Sequence, residues 1–298
     1  MKVQIPDELK KDAPQTQWGK LFVATPVVMT VVATLLAGLA SSEMTRAQYD
    51  RALAAQQQSK AGDQWSFFQA KRLRSALQHN TLDLLQATTE VRAFNVATVE
   101  KIGSPADSAV IAALQKGEPP APPPAFALEP SVKAALQAVE TSKSETEIAE
   151  LLRKVDDRTL ADTMQTARDN VLAFDDATKP VNQTIERLEK SLADGDKTLL
   201  RDFTAARLQY AAARYDAEAR LNQAIANLLE LQVRKSNISA ERHQKRSGKF
   251  FFGMLAAQAA VIIATFAMAA RQRNLLWTLA AVAGIAAVAF AIYVYLRV

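Results

Sequence analysis

The chain has no cysteine, only two histidines and only nine glycines among its 298 residues. Without cysteine there are no disulfides, no thiolate metal sites and no cysteine nucleophile, although this leaves open on which side of a membrane the chain folds. His79 and His243 lie far apart among Gln, Asn, Lys or Arg, so each reads as part of a solvated helix face rather than as a metal ligand or acid-base group. No glycine-rich phosphate loop is present, nor any pairing of a nucleophile with a base. Asp156-Asp157 and Asp175-Asp176 resemble paired carboxylates, but neighbours on a helix diverge, so they read as helix-end or surface charge. Glycosidase-type chemistry would need two carboxyls facing each other across a cleft. No catalytic residue, cofactor or metal is therefore expected, and the chain reads as non-enzymatic. A net charge of +5 and a pI near 9.3 come without a basic and aromatic recognition module, so nucleic acid is not an expected partner.

What the chain does have is segregated hydrophobicity. Leu21 to Ser41 carries no charge, and at about 1.5 Å per residue it is long enough for a hydrocarbon core of about 30 Å. It follows a polar tail, residues 1–20, and is longer than a secretory h-region, so it reads as an uncleaved anchor. Phe250 to Ala270 and Leu275 to Leu296 are two further expected spans, joined as a hairpin by the turn 271–274. Trp18, Trp277, Tyr293 and Tyr295 fall where amphipathic rings favour the interface, and Lys20, Lys249 and Arg297 flank the ends. The lipid bilayer is thus the first expected partner. Small residues four apart, Gly253 with Ala257 and Ala280 with Gly284, are candidates for close helix packing. Gln258 is a polar side chain inside a span, suited to bonding a neighbouring helix, and Pro26 is a kink candidate.

Three spans would place the amino terminus and the 271–274 turn on one side, the large domain and carboxyl terminus on the other. Lys2, Lys10, Lys11, Lys20, Arg271 and Arg273 oppose the lone Arg297, favouring an extracytoplasmic domain. Lys235, Arg242, Lys245, Arg246 and Lys249, just before the second span, pull the other way. Long domains cross largely regardless of charge, which tips the balance outward.

Residues 42–249 are rich in Ala, Leu, Gln, Glu, Lys and Arg, so the fold class expected is all-α, a helical bundle of coiled-coil character inserted between the first and second spans. Gly62 is expected to end the helix that leaves the first span, and Asp63 to cap another from Gln64 to about Lys101, with Leu73, Leu77, Leu84, Val91 and Phe94 as its apolar stripe. Gly103 closes that helix, and Ser104-Pro105 opens a short one ending at Gly117. Six prolines between Glu118 and Pro130 make an extended connector. Ser144-Glu145-Thr146-Glu147 has capping-box spacing, and Lys179-Pro180 and 193–196 mark turns. From Lys197 to about Ser247, Leu200, Phe203, Tyr210, Ala217, Leu221, Ala224, Leu228, Leu231 and Ile238 form a heptad-like seam interrupted by Arg207, Arg214 and Lys235.

Trp65, Phe68, Gln69 and Arg72 share one helical face, suited either to a core anchor or to contact with a partner or second subunit. The phrase GDQWSFFQAKRLR after a first span, with RHQKRSGKFF leading into a terminal hairpin turned at RQRNLLW, resembles the bacterial membrane proteins of domain-of-unknown-function family 4337. The resemblance is strongest over Asp63 to Arg72 and Glu241 to Trp277, and the Pro-rich middle is longer than the family pattern. It implies no activity, but it does imply three spans in a bacterial inner membrane. The function expected is a structural, scaffolding or assembly role, as a homo-oligomer or an accessory subunit of a larger membrane complex. The alternative is a sensor-like or transport-accessory protein whose helical domain binds a ligand or partner.

Overall fold

The computed structural model describes residues 17–94, 108–121, 128–193, 195–269 and 273–297. These form seven helices and, among the described residues, no strand: α1 (Gln17–Thr88), α2 (Ser108–Lys116), α3 (Pro130–Glu140), α4 (Glu145–Lys154), α5 (Asp157–Leu192), α6 (Lys197–Ala269) and α7 (Arg273–Arg297). The chain divides into two compact units, one within Met1–Leu53 and Ser236–Val298 and the other over Ala54–Lys235, with α1 and α6 contributing to both. The polar tail before Gln17, Gly103, Ser104-Pro105, residues 122–127 of the Pro-rich segment, Arg271 and Gln272 lie outside the described residues.

Three helices, α1, α6 and α7, are long and apolar enough to cross a membrane. In the first unit they pack with their small residues inward. Ala33, Ala257, Ala260 and Ala287 gather around Met29, and Leu36, Ala40, Phe250 and Val294 form the adjoining cluster. Other large side chains point away: Val28, Leu35, Phe252, Ile262, Phe266, Val282, Ile285 and Ile292 are all exposed. Thr30, Thr34 and Thr265 return their hydroxyls to the carbonyls of Pro26, Thr30 and Val261, so these polar atoms are satisfied within their own helices.

The second unit is a conventional bundle. Its main core joins Phe94, Val110, Leu114, Val181, Ile185, Leu188, Leu192, Phe203 and Tyr210. The expected seam of α6 supplies Phe203, Tyr210, Ala217, Leu228 and Leu231 as buried residues, with Leu200, Leu221, Ala224 and Ile238 half-buried. A second seam on α6 repeats every seven residues through Ala205, Ala212, Ala219, Ala226 and Val233, all buried. Ala54, Ala61, Ser75 and Leu82 form the matching buried column on α1. Ser75 Oγ donates to the Ala212 carbonyl at 3.0 Å, and Leu82 packs on Ala205 and Leu208. A serine that reaches a backbone carbonyl of the facing helix requires closely spaced helices, which residues as small as alanine permit.

The caps are legible. Ser144 accepts from Glu147 N–H, Asp156 accepts from Arg158 and Thr159 N–H, and Glu129 caps α3 with Pro130 in its first turn. Asp156-Asp157 is thus a helix start, whereas Asp175-Asp176 lies inside α5. Gly117 ends α2 at φ 65°, with Glu118 N–H donating to Ala113 O and Gly117 N–H to Leu114 O, a Schellman closure. A Cβ there would lie 2.4 Å from Gln209 Cδ.

Four expectations are corrected. Gly62 does not end a helix: α1 runs through it, because one glycine costs about 1 kcal/mol and the buried column on both sides holds the helix together. That helix stops at Thr88 rather than near Lys101, where Thr88 and Thr89 hydroxyls bond the Leu84 and Leu85 carbonyls and Arg92 N–H turns to Asp202. Leu73, Leu77 and Leu84 are not a core stripe but are exposed, since the alanine column takes the inward face. Pro180 lies inside α5, whose continuity rests on the buried face of Phe174, Thr178, Val181, Ile185 and Leu188.

Candidate functional site

In the second unit, α1 from Gln64 to His79 faces α5 and α6 across a dense set of charges. Glu218, 7% exposed at its side chain, is bonded by Lys71 Nζ and lies 3.2 Å from Arg214 Nη1. Burying such a carboxylate requires paired cations, and both are supplied. Tyr215 presents its ring to Lys71 at 5.5 Å, Arg74 at 5.8 Å and Arg214 at 4.4 Å. Next to Tyr215, Asp216 pairs with Arg72 at 2.5 Å and Arg220 at 2.8 Å. Burial pushes the Tyr210 phenol up to about 12 despite nearby Arg214, and its hydroxyl oxygen is buried without a hydrogen-bond partner.

Two cavities flank these pairs. The larger, about 1860 Å³, is an open cleft with Arg72, His79, Lys116, Arg187, Asp216 and Arg220 on its walls. The smaller, about 390 Å³, lies between Phe67 and Phe174 and is bordered by Gln64, Lys71, Asp175 and Glu218. Burial, and then the negative charge of Glu218, raise the Asp175 carboxyl above the ordinary range, opposed by Lys71 and Arg214. Gln64 Oε1 is buried and has no hydrogen-bond partner.

Of the face singled out in the sequence, Trp65 and Phe68 are half-buried and meet edge-on at 5.5 Å, while Gln69 and Arg72 are exposed. Arg72 reaches Asp216; Gln64, Phe67 and Lys71, one position before three of these residues, border the smaller cavity instead. In the first unit, Gly253 approaches Leu36, where an added Cβ would lie 3.3 Å from Cδ1, and Gly284 approaches Met29, 3.2 Å from Sδ. Ala257 and Ala280 are fully buried; Gln258, next to Ala257, is exposed.

His79 is exposed, as its neighbours suggest. His243 is not a solvated residue: its Nδ1 lies 2.5 Å from Glu43 Oε2 and its Nε2 4.0 Å from Asp50, with the ring 19% exposed. Arg46 and Arg246 approach the same Glu43, Arg51 bonds Gln244, and Ser247 Oγ donates to the Ala40 carbonyl at 2.7 Å. The local sequence of α6 hid this cluster because the carboxylates come from the facing helix; their three- and four-residue spacing from Ala40 and Ala47 was the available signal. Among the described residues, no group of three His, Asp or Glu side chains is disposed to hold a metal ion.

No curated protein and no solved structure matches the chain. Residues 22–112, less than half of the chain, match the model of a family described as a domain of unknown function, DUF4337. That match takes in the first apolar stretch and Asp63 to Arg72, and ends before Glu241 to Trp277, where the resemblance remains an expectation. Over residues 22–112 the chain resembles the DUF4337 family.

Proposed function

We propose that the protein is a non-enzymatic, membrane-anchored helical scaffold that assembles with further copies of itself. The first unit would be its three-span anchor in a bacterial inner membrane, with the second unit in water on the extracytoplasmic side. Support for the anchor comes from inverted packing. Alanine and glycine make up much of the interior, with Met29, Leu36, Phe250 and Val294 among them, while isoleucine, leucine, valine and phenylalanine cover the outside, an arrangement costly in water and natural in lipid. The sidedness rests on the lysines and arginines before the first apolar stretch and in the 271–274 turn.

The observation that carries assembly is the exposed row Leu73, Leu77 and Leu84 on α1 in the second unit, at 62%, 52% and 64% exposure. Steps of four and seven residues place the leucines on one helical stripe. In water such a stripe is a self-complementary surface for the same stripe on a second copy, as a two-fold interface requires. Native mass measurement of the full chain in mild detergent is expected to show an oligomer. Changing Leu73, Leu77 and Leu84 together to Ser should disperse it while far-ultraviolet circular dichroism stays helical. A wild-type monomer at all concentrations, or an undispersed triple variant, would contradict the proposal.

A further inference from the structure

In the first unit, the stretches of α1 and α6 that adjoin the apolar segments sort their charges by sign. From Glu43 to Arg51 on α1 and from Glu241 to Lys249 on α6 there are six cations, Arg46, Arg51, Arg242, Lys245, Arg246 and Lys249, against the three carboxylates Glu43, Asp50 and Glu241. Two of the carboxylates turn inward: the Glu43 and Asp50 side chains are 11% and 19% exposed, and both lie against His243. Most of the cations turn outward, Arg46 at 62% and Lys245 at 73%, with Arg51 and Arg242 exposed as well. Pairing within the belt does not cancel this outward charge. Glu43 is shared by Arg46, Arg246 and His243, and Lys245 meets Glu241 at 3.7 Å with both side chains well exposed, a pair of little worth. Lys249 forms no described ion pair; its Nζ stands 5.6 Å from the centroid of the Tyr293 ring on α7. At about 1.5 Å per residue, Arg46 lies about 7.5 Å beyond Ser41, and Lys245 and Lys249 lie about 7.5 Å and about 1.5 Å before Phe250. Headgroup layers of about 5–7 Å flank a hydrocarbon core of about 30 Å, which sets these three cations at the depth of lipid phosphates.

We propose that this belt preferentially binds anionic phospholipid, its phosphate held by Arg46, Lys245 and Lys249. The inference rests on the reading of the first unit as a membrane anchor and names a lipid class for it. Ammonium and guanidinium groups make charge-assisted hydrogen bonds to a phosphodiester. In a zwitterionic lipid the headgroup's own cation competes for that phosphate and is repelled by the belt, whereas phosphatidylglycerol carries no such cation. The neighbouring surface favours lipid over a partner in water. Phe251 and Phe252, directly after Lys249, are exposed and apolar, so whatever meets the cations must also cover hydrocarbon. A phosphate attached to acyl chains does both. The proposal is independent of self-assembly and of the side on which the second unit lies.

The test reconstitutes the full chain into phosphatidylcholine bilayers and compares spin-labelled phosphatidylglycerol with spin-labelled phosphatidylcholine by electron paramagnetic resonance, which reads the fraction of each lipid immobilised on the protein. At low salt phosphatidylglycerol is expected to associate at least about threefold more strongly, and the preference should shrink as chloride screens the belt. Arg46→Gln, Lys245→Gln and Lys249→Gln combined should bring the ratio to about one, while Lys133→Gln with Lys190→Gln, at exposed positions of the second unit, should leave it unchanged. Unchanged immobilisation of phosphatidylcholine by the triple variant separates loss of selectivity from loss of insertion. Inorganic phosphate should compete no better than chloride at equal ionic strength. Equal association of the two lipids with the wild type, or a preference kept by the triple variant, would overturn the proposal and leave the anchor standing. Stronger displacement by phosphate than by chloride would overturn it in favour of a soluble oxyanion. No immobilised lipid of either kind would overturn the anchor and the proposal together.

Discussion

Gly62 and Gly117 show how differently one residue type acts in two places. Gly62 sits inside α1 with open space where a Cβ would go, so its backbone freedom serves no close approach. Gly62→Ala is expected to stabilise the fold by about 0.5–1 kcal/mol, read as a higher thermal midpoint by circular dichroism. Gly117→Ala should instead destabilise, because it forces a side chain into a positive-φ position and against Gln209. Asp175 makes one contribution to the pH dependence. A carboxyl raised in the folded state binds its proton more tightly there than in the unfolded chain, so its contribution falls as pH rises from about 4 through the raised value. Asp175→Asn should therefore raise the thermal midpoint at pH 7, and the gain should shrink towards pH 4. His243→Ala, which strips Glu43 of its closest partner, is expected to cost about 1–3 kcal/mol.

At the scale of elements, the capping signals were readable because they are local: Ser144 with Glu147, Asp156, and Gly117 each act within a few residues. Breaks were over-read for the same reason. Local propensity stops a helix at Gly62 and Pro180, yet long buried faces on α1 and α5 hold both helices through those points. The inward face of α1 was missed because its column is alanine, and a search for leucine periodicity finds the exposed side instead. Of the candidate site, Arg72 and the surrounding stretch of α1 were legible. Glu218, Asp216 and Asp175 were not singled out as its partners, because only tertiary packing sets them opposite that stretch. The alanine column makes an element-level prediction. Ala212→Leu or Ala226→Leu, at fully buried positions, should cost about 1–3 kcal/mol through overpacking, whereas Leu172→Ser, at an exposed position of α5, should change stability within about 0.5 kcal/mol. Thermal unfolding of the three variants in one detergent checks this.

For the whole molecule, the central claim is that the first unit is built for lipid, with many small residues between its helices and large apolar ones covering its outside. The absence of cysteine makes single-cysteine spin labels straightforward to place. Labels at exposed Leu35, Ile262 and Ile285 and at exposed Leu73 in the second unit, in protein reconstituted into liposomes, can be tested by electron paramagnetic resonance with oxygen and a water-soluble nickel chelate. The account predicts high oxygen and low nickel accessibility at the first three positions, and the reverse order of relaxation effects at Leu73 in chain left unassembled by Ser at Leu77 and Leu84. Nickel access at Leu35, Ile262 and Ile285 comparable to that at Leu73 would contradict it.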